Sequence, residues 1–542
     1  MRKLLGWLSA LFYGVEPSGS KESSLTNTEI APAPQKNKTL VNLGTLSIES
    51  SALTRQLKND IRDDWFPDPL QFEDMFSGQK IPEIIRKNVE LNSGSYRPSS
   101  RILFNIPKTG FTLRYALETS LSDRALYQGL TSFLIPFYDR LIPWNSFSHR
   151  FDYERARASD RYTFKNGIQA WKHFVGAARS AVTDENYMLS TDVANFFENI
   201  KLEKLRLYME TLEPEINASP AELKNIQKHR ALLFECLKDW SYEKESGLPQ
   251  NRDASSFLAN LYMREVDLTM RNAGYADTYF RYMDDIKIVC PDEFFARKAL
   301  KDLTICLRSL GLSVNSKKTK LIPGYDKDEI EKYLDGSSDA IEQIDLLWQR
   351  KNRQAIFLLW PLLRDKTLEL IAAGDVDSRE FRYCIKRIEL LASYSDLHFP
   401  KELYTEITKA ICNAVAIHPA CTDQYVKYLA AVDLTIEELK PVIEYLCIPE
   451  KSIYTWQSYR LWLLMANKKV VSDQLIEAAT VSLSALDSPA RAGASIYLGV
   501  MGSEKNKLEV AEKFETVRSF IGQRSPPRQN SCRLHRTKNP GA

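Results

Sequence analysis

Residue patterning points to an α+β body followed by an all-α region, and three observations carry that expectation. Strand-like and helical segments alternate between residues 187 and 325. Beyond about Ala340, apolar residues recur at three-to-four spacing with short breaks. The chain has 542 residues, 44% of them hydrophobic, enough core for several domains of roughly 100–200 residues each. Lys and Arg total 73 against 70 Asp and Glu, a formal charge of +3, which excludes a polyanionic disordered chain and a histone-like polycation. Nucleic-acid binding stays open, because local patches outweigh the sum. The 8 cysteines form no C-x-x-C pair and the 6 histidines are dispersed, so no zinc-type spacing occurs and buried thiols in a reducing compartment are expected. No apolar run approaches the ~20 residues of a membrane span, so no membrane association is expected.

Residues 1–45 are expected to hold an N-terminal helix and a flexible linker. The positive start and apolar run from Met1 to Phe12 imitate a secretory signal and are read as a helix that packs on the body or on a partner. Residues 14–45 are rich in Ser, Thr, Asn, Pro and Lys, which reads as linker. Residues 46–186 hold helical patterns broken at Pro67-Asp68-Pro69, then a strand-like run from Arg101 to Ile106 and longer amphipathic helices. Residues 187–335 hold a strand from Tyr187 to Asp192, a helix from Asn195 to Met209 and a hairpin from Tyr279 to Cys290. The tip of that hairpin is Met283, Asp284 and Asp285, since Ile286 and Ile288 share one face at period two. Residues 336–520 are helix after helix: Thr435 to Glu438 is a capping box, Ser488-Pro489 starts a helix and Gly374 ends one. Helix pairs at intervals of about 40 residues fit a HEAT-like stack, and an ordinary bundle fits nearly as well. Residues 521–542 carry Arg524, Arg528, Arg533, Arg536 and Lys538 without any acid, and a disordered basic tail is expected there.

Four segments in a fixed order carry the chemistry. Asp192 closes an apolar strand that runs into a helix through Phe196 and Phe197. Gly247, Leu248 and Pro249 make a tight turn that opens a long helix after Gln250. Asp284 and Asp285 follow Tyr282 and Met283 at the hairpin tip, and Leu312 to Thr319 contains Lys317 and Lys318. Singly, each has a plain structural role: junction aspartates cap helices, hairpin aspartates make turns, phenylalanines fill cores and lysine runs face solvent. Together they suit phosphoryl transfer. Joining a nucleotide to a 3′-hydroxyl is an in-line displacement, in which two Mg2+ ions about 3.5–4 Å apart activate the attacking oxygen and stabilise the leaving one. Mg2+ takes hard oxygen ligands in octahedral geometry, so carboxylates must converge on rigid backbone from neighbouring strands. Asp192 and Asp284 meet that need, and the Val193 carbonyl is expected to complete the shell.

In this order the segments resemble the reverse transcriptases over about residues 100–325. Asp192 with Phe196 and Phe197 is similar to motif A of that family, and Gly247 to Tyr262 to motif B. Tyr282-Met283-Asp284-Asp285 is similar to the Y-x-D-D box of motif C, Leu312 to Thr319 to motif D, and Pro107, Lys108 and Arg114 to the fingers segment. The resemblance implies a right-hand fold with fingers and N-terminal helices at 46–186, a palm at 187–335 and a helical thumb or repeat-like domain at 336–520. It implies a metal-binding triad of Asp192, Asp284 and Asp285, the last being the weaker ligand. Lys108 and Arg114 are then expected to grip the triphosphate, Phe197 to exclude a ribose hydroxyl, and Gln250 to contact the incoming sugar. Met283 is expected beneath the primer end, and Lys318, with Lys317 as a substitute, to give a proton to departing pyrophosphate. Many relatives have Gly after the motif B glutamine, whereas this chain has Asn251; Asn tolerates left-handed backbone, but the local template contact is weakened as an expectation.

Ser255-Ser256 stands where diversity-generating enzymes usually carry Ser-Gln, and neither a retron thumb element nor the zinc-bearing tail of intron enzymes is visible. A fingers–palm body followed by a long helical region, with Asp64 to Pro69 and Leu258 to Tyr262, resembles the abortive-infection, defence-associated group. That implies cytoplasmic antiphage defence through Mg2+-dependent DNA synthesis from dNTPs, with Mn2+ as a substitute ion. An RNA or DNA template or product, a non-coding RNA and a second copy of the chain are the partners expected. In that group synthesis can be untemplated and primed by a tyrosine; Tyr383, Tyr394, Tyr404, Tyr425, Tyr428, Tyr445, Tyr454, Tyr459 and Tyr497 are the candidates. Two other readings are a conventional RNA-templated enzyme serving a mobile element or non-coding RNA, and an inactive polymerase fold acting as an RNA-binding scaffold. Carboxylates held together against their repulsion argue against a scaffold. Arg150, Arg155, Arg157 and Lys172 either track a phosphate backbone or form solvated faces.

Overall fold

The computed structural model describes residues 40–516 apart from 44–45, 55–56, 62–63, 70–71, 77–78, 155–162, 251, 335–343, 345, 348–352, 394–399 and 485–487. The expected N-terminal helix, most of the linker, the basic tail, Arg155, Arg157, Asn251 and Tyr394 lie outside the described residues.

The described residues begin inside the expected linker. Strands β1 (Leu40–Asn42) and β2 (Ser47–Glu49) pair antiparallel and bury Val41 and Ile48. Strands of three residues are too short for a two-residue period to stand out in sequence. Helix α1 (Lys80–Leu91) follows, with Ile81, Ile85 and Val89 on its buried face. Strands β3 (Ile102–Pro107) and β4 (Leu113–Glu118) form a hairpin. Helix α2 (Leu121–Tyr138) is capped by Ser120 and buried on nearly all sides, and α3 (Gly167–Ala181) is capped by Asn166.

The central sheet has the order β6-β7-β5-β8, with every neighbouring pair antiparallel. Its strands are β5 (Tyr187–Asp192), β6 (Tyr279–Tyr282), β7 (Asp285–Cys290) and β8 (Lys320–Pro323). Between β5 and β6 lie α4 (Leu202–Thr211), α5 (Pro220–Asp239), α6 (Asp253–Tyr262) and α7 (Arg264–Met270); α8 (Glu293–Ser309) precedes β8 and α9 (Lys327–Leu334) follows it. The two-residue period decides which helix covers which face. Met188, Phe280 and Ile322 cluster with Phe174, Val175 and Ala178 of α3. Leu189, Ile286 and Ile288 belong to the main core with Ala296, Ala299 and Leu303 of α8. Each of the Leu, Ile, Val, Met and Phe side chains among them contributes roughly 1.5–3 kcal/mol when fully buried.

The helix expected from Asn195 to Met209 is broken. A short turn, Phe196–Asn199, ends before α4 because Ile200 and Lys201 are extended to receive another segment. Gly247 N–H donates to the Ile200 carbonyl (2.8 Å), Leu248 N–H donates to the Phe197 carbonyl (2.9 Å), and Lys201 bridges to Ser246. Gly247 sits at φ 93, where a Cβ would lie 2.4 Å from the Tyr242 ring, so the turn requires glycine.

The C-terminal region contains α10 (Trp360–Ala373), α11 (Arg379–Ser393), α12 (Thr405–Ala414), α13 (Thr422–Ala431), α14 (Ile436–Cys447), α15 (Thr455–Lys468), α16 (Asp473–Leu483), α17 (Pro489–Met501) and α18 (Glu504–Thr516). Gly374 caps α10 in the left-handed region, Thr435 and Glu438 form the capping box of α14, and Ser488 caps α17, as their sequence signals led us to expect. Packing separates the stack from the bundle: α11, α13, α15 and α17 form one row, α10, α12, α14, α16 and α18 a second. Each helix thus meets the helix two places along, the arrangement of stacked helix pairs.

This stack is bolted to the β3–β4 hairpin. Phe104, Ile106 and Ala116 pack with Phe66, Trp456, Tyr459 and Leu463. Trp456 Nε1 donates to the Trp65 carbonyl (2.8 Å) and the Tyr459 hydroxyl to the Pro67 carbonyl (2.7 Å). Among the described residues, no helix is long and apolar enough to cross a membrane.

Candidate active site

The strand register brings the acidic residues together. Asp192, the last residue of β5, pairs with Asp285, the first of β7, and Val193 N–H donates to the Asp284 carbonyl (3.2 Å). Pairing of Tyr282 with Asp285 leaves Met283 and Asp284 as a two-residue hairpin loop. Met283 takes φ 57, a left-handed conformation that costs a residue with a Cβ about 1–2 kcal/mol. Its carbonyl is held by Arg281 Nη1 at 2.9 Å. A strained turn fixed by a buried side chain is the kind of feature found where geometry serves a site.

The three carboxylates differ in their surroundings. Asp192 Oδ2 accepts from Lys318 Nζ (2.5 Å), while its Oδ1 is buried without a hydrogen-bond partner. Asp284 is pushed up to about 6 by burial first, then by the charges of Asp285 and Asp192. Asp285 is engaged at both oxygens: Oδ1 by Lys287 Nζ (3.1 Å) and Oδ2 by Arg379 Nη2 (3.5 Å). No set of three His, Cys, Asp or Glu side chains among the described residues converges to hold a metal. The orphaned oxygen of Asp192 and the mutual repulsion felt by Asp284 nevertheless fit a divalent cation, which would satisfy the first and relieve the second.

A pH prediction follows for protein free of divalent ions. A carboxyl whose folded pKa lies above its unfolded value of roughly 3.9 destabilises the fold once both states are ionised. Asp284→Asn removes that penalty. It should therefore be more stable than the parent by about 1–3 kcal/mol above pH 6, with the gap closing as pH falls through 6 towards 4. Urea unfolding in EDTA at pH 4 and pH 7.5 checks it; an equal gap at both would refute the raised pKa of Asp284.

Of the remaining expected residues, Lys318 and Lys108 lie in the field of these carboxylates. Lys318, not Lys317, meets Asp192. Burial lowers the tendency of Lys318 to hold its proton, but the hydrogen bond to Asp192 and the charges of Asp192, Asp284 and Asp285 outweigh it and raise the pKa. Lys108 stands at the end of the β3 strand, in the field of Arg114, Glu198, Lys318 and Asp192. Burial, then Arg114, hold its pKa below the usual lysine value, a state that an anion between the two cations would reverse. Arg114 shares the Ile106 face of the hairpin, its guanidinium 6.0 Å from the Trp65 ring centre. Phe197 is partly buried beside Phe196, their ring centres 5.4 Å apart, and Gln250 donates from Nε2 to Glu198 Oε1 (3.1 Å).

Several supporting residues escaped the sequence reading. Arg281 is fully buried, paired with Asp267 by Nε and Nη2 (both 2.7 Å), and reaches Asn260 Oδ1 of α6 (2.8 Å) and Ser146 Oγ (2.9 Å). Lys287 is buried and donates to Ser190 Oγ (2.7 Å). Arg252 is buried among Glu118, Asp60 and Asp64 (3.1, 3.8 and 3.9 Å) and ties the motif B turn to the β4 end. For Arg281 and Lys287 the available signal was a charged residue inside a largely apolar strand. Arg150, considered for phosphate contact, instead binds Asp139 and the carbonyls of Pro143, Ser146 and Ile142.

Comparison with curated proteins gives no match. Residues 128–353 match the family model described as reverse transcriptase (RNA-dependent DNA polymerase). The matched segment spans β5 to β8 with all three acidic residues, and leaves the β3–β4 hairpin and α10 to α18 outside. That match supports a polymerase of reverse-transcriptase type, and such a domain indicates RNA-directed DNA polymerase activity.

Proposed function

We propose that this polymerase is Mg2+-dependent, accepts Mn2+ in its place and acts in cytoplasmic antiphage defence by untemplated, protein-primed DNA synthesis. The observation that carries the metal reading is the partnerless, buried Oδ1 of Asp192 beside an Asp284 whose charge is opposed by its neighbours. Asp192 and Asp284, with the Val193 carbonyl, would hold the ions, and Asp285 is the weaker ligand. The ions supply activation of the attacking hydroxyl and neutralisation of charge on the leaving group. Lys108 and Arg114 bind the triphosphate, Gln250 orients the sugar, Met283 supports the primer end and Lys318 holds a proton for pyrophosphate. Incorporation of labelled dNTPs that stops with EDTA and returns with Mg2+ supports this; incorporation unaffected by EDTA would overturn it.

Phe197 is assigned the sugar gate. Phe197→Ala should raise ribonucleotide incorporation relative to deoxyribonucleotide by on the order of 10-fold or more, read from kcat/KM for the two sugars, because removed bulk readmits a hydroxyl. An unchanged ratio would remove Phe197 from that role.

Defence rests on the order of motifs and the stacked helices after them, and predicts lower phage plating in cells carrying the chain than in cells carrying its Asp284→Ala variant. Burial narrows the priming tyrosines. Tyr404, Tyr425, Tyr428, Tyr445, Tyr459 and Tyr497 are buried, while Tyr383 and Tyr454 are partly exposed. Tyr383 lies one turn after Arg379 on α11, the residue that touches Asp285, and is the favoured primer. Mass spectrometry after incubation with dNTPs should find a nucleotide adduct that Tyr383→Phe removes; an adduct that persists would place the primer elsewhere. Sequencing of bound nucleic acid separates this reading from templated synthesis on a non-coding RNA, which would give template-matched cDNA.

A further inference from the structure

The joint between α10 and α11 links the β3–β4 hairpin to the catalytic hairpin. Gly374 turns the chain at φ 72, buried Val376 anchors the loop and accepts from Cys421 Sγ (3.1 Å), and Ser378 Oγ caps α11 through Phe381 N–H (3.0 Å). On one side, Asp377 Oδ2 accepts from Thr109 Oγ1 (2.7 Å), the neighbour of Lys108 in the chain. On the other side stands Arg379. Its guanidinium carbon is 4.0 Å from the Trp171 ring centre, Nη1 donates to the Leu334 carbonyl (3.2 Å) and Nη2 lies 3.5 Å from Asp285 Oδ2. An arginine stacked on an indole and bonded to a backbone carbonyl is oriented, not merely nearby.

We propose that Arg379 is a positioning residue that, with Lys287, holds Asp285 back from full metal ligation, so that the third carboxylate answers to the seating of the helical stack. The proposal rests on the metal reading of Asp192 and Asp284 above. Three facts fit together under it. Asp285 has both oxygens taken by cations, whereas Asp192 keeps a bare one. The three carboxylates do not converge as a set. The cation on Oδ2 comes from a region outside the matched polymerase segment, which also touches the hairpin carrying Lys108. A carboxylate oxygen shared with a guanidinium is a poorer donor to a divalent ion, and the guanidinium charge repels that ion.

The test measures Mn2+ binding to the full chain by the electron paramagnetic resonance of free Mn2+, without turnover. Arg379→Ala should tighten Mn2+ binding by about 3–10-fold, the effect of removing one screened charge at this range. Arg379→Lys, which keeps the charge, should stay within about twofold of the parent. A purely structural role would shift the melting temperature in EDTA and leave the Mn2+ constant alone. Since the Arg379 side chain is 42% exposed, alanine is tolerated there, and Arg379→Gln carries the same test with the stem retained. Equal Mn2+ binding by the parent, Ala and Gln forms would overturn the positioning role while leaving the metal reading intact. Parent protein without Mn2+ binding that Asp192→Asn abolishes would overturn both.

Discussion

Replacing both Asp284 and Asp285 by Ala is expected to abolish nucleotide incorporation, by at least about 10^3-fold, and to leave the fold standing. Loss of a carboxylate that holds a catalytic ion removes several kcal/mol of transition-state stabilisation, and each 1.36 kcal/mol is tenfold in rate. The fold should survive because Met283 and Asp284 form a two-residue loop whose geometry is held by Arg281 at the Met283 carbonyl, not by either carboxylate. Alanine also removes the burial cost and the repulsion that together raise Asp284. Steady-state incorporation and a thermal melt of the same preparation decide it; full incorporation by the double variant would end the assignment of these residues.

Arg281→Ala should be the most damaging single change to stability near the site, at about 3–5 kcal/mol, since it leaves Asp267 as an uncompensated buried charge. Both partners have fully buried side chains, so solvent cannot repair the loss. The same change frees the Met283 carbonyl and strips Asn260 and Ser146 of a partner, so incorporation should fall along with stability. Urea unfolding gives the first number. A loss below about 1 kcal/mol would mean that water or a shifted side chain takes over the pairing, and that the hairpin does not depend on Arg281.

Residues close in sequence were the legible part of the site. The strand ending at Asp192, the hairpin tip at Asp284 and the Gly247 turn each follow from local periodicity and backbone preference, and the structure has them at those positions. Lys317 and Lys318 show the limit. They are neighbours of the same type, and only the chain's path past β5 puts Lys318 Nζ on Asp192. The broken helix at Ile200 has the same cause: its residues favour a helix, but the Gly247 turn, distant in sequence, claims their backbone carbonyls. The choice between stack and bundle was likewise closed to pattern reading, because both need the same apolar stripe on each helix.

What the residue order determined by itself was a set of features governed by interactions within a few residues: the longer strands, helix caps, tight turns and the run of motifs that matches a reverse-transcriptase domain. What tertiary structure alone decided was partnership between distant charges: Arg281 with Asp267, Lys287 and Arg379 on Asp285, and Asp377 beside Thr109. The reason is physical. Backbone preference acts at short range and leaves a trace in local sequence, whereas an ion pair depends on separation and burial in space, which no single stretch of chain encodes.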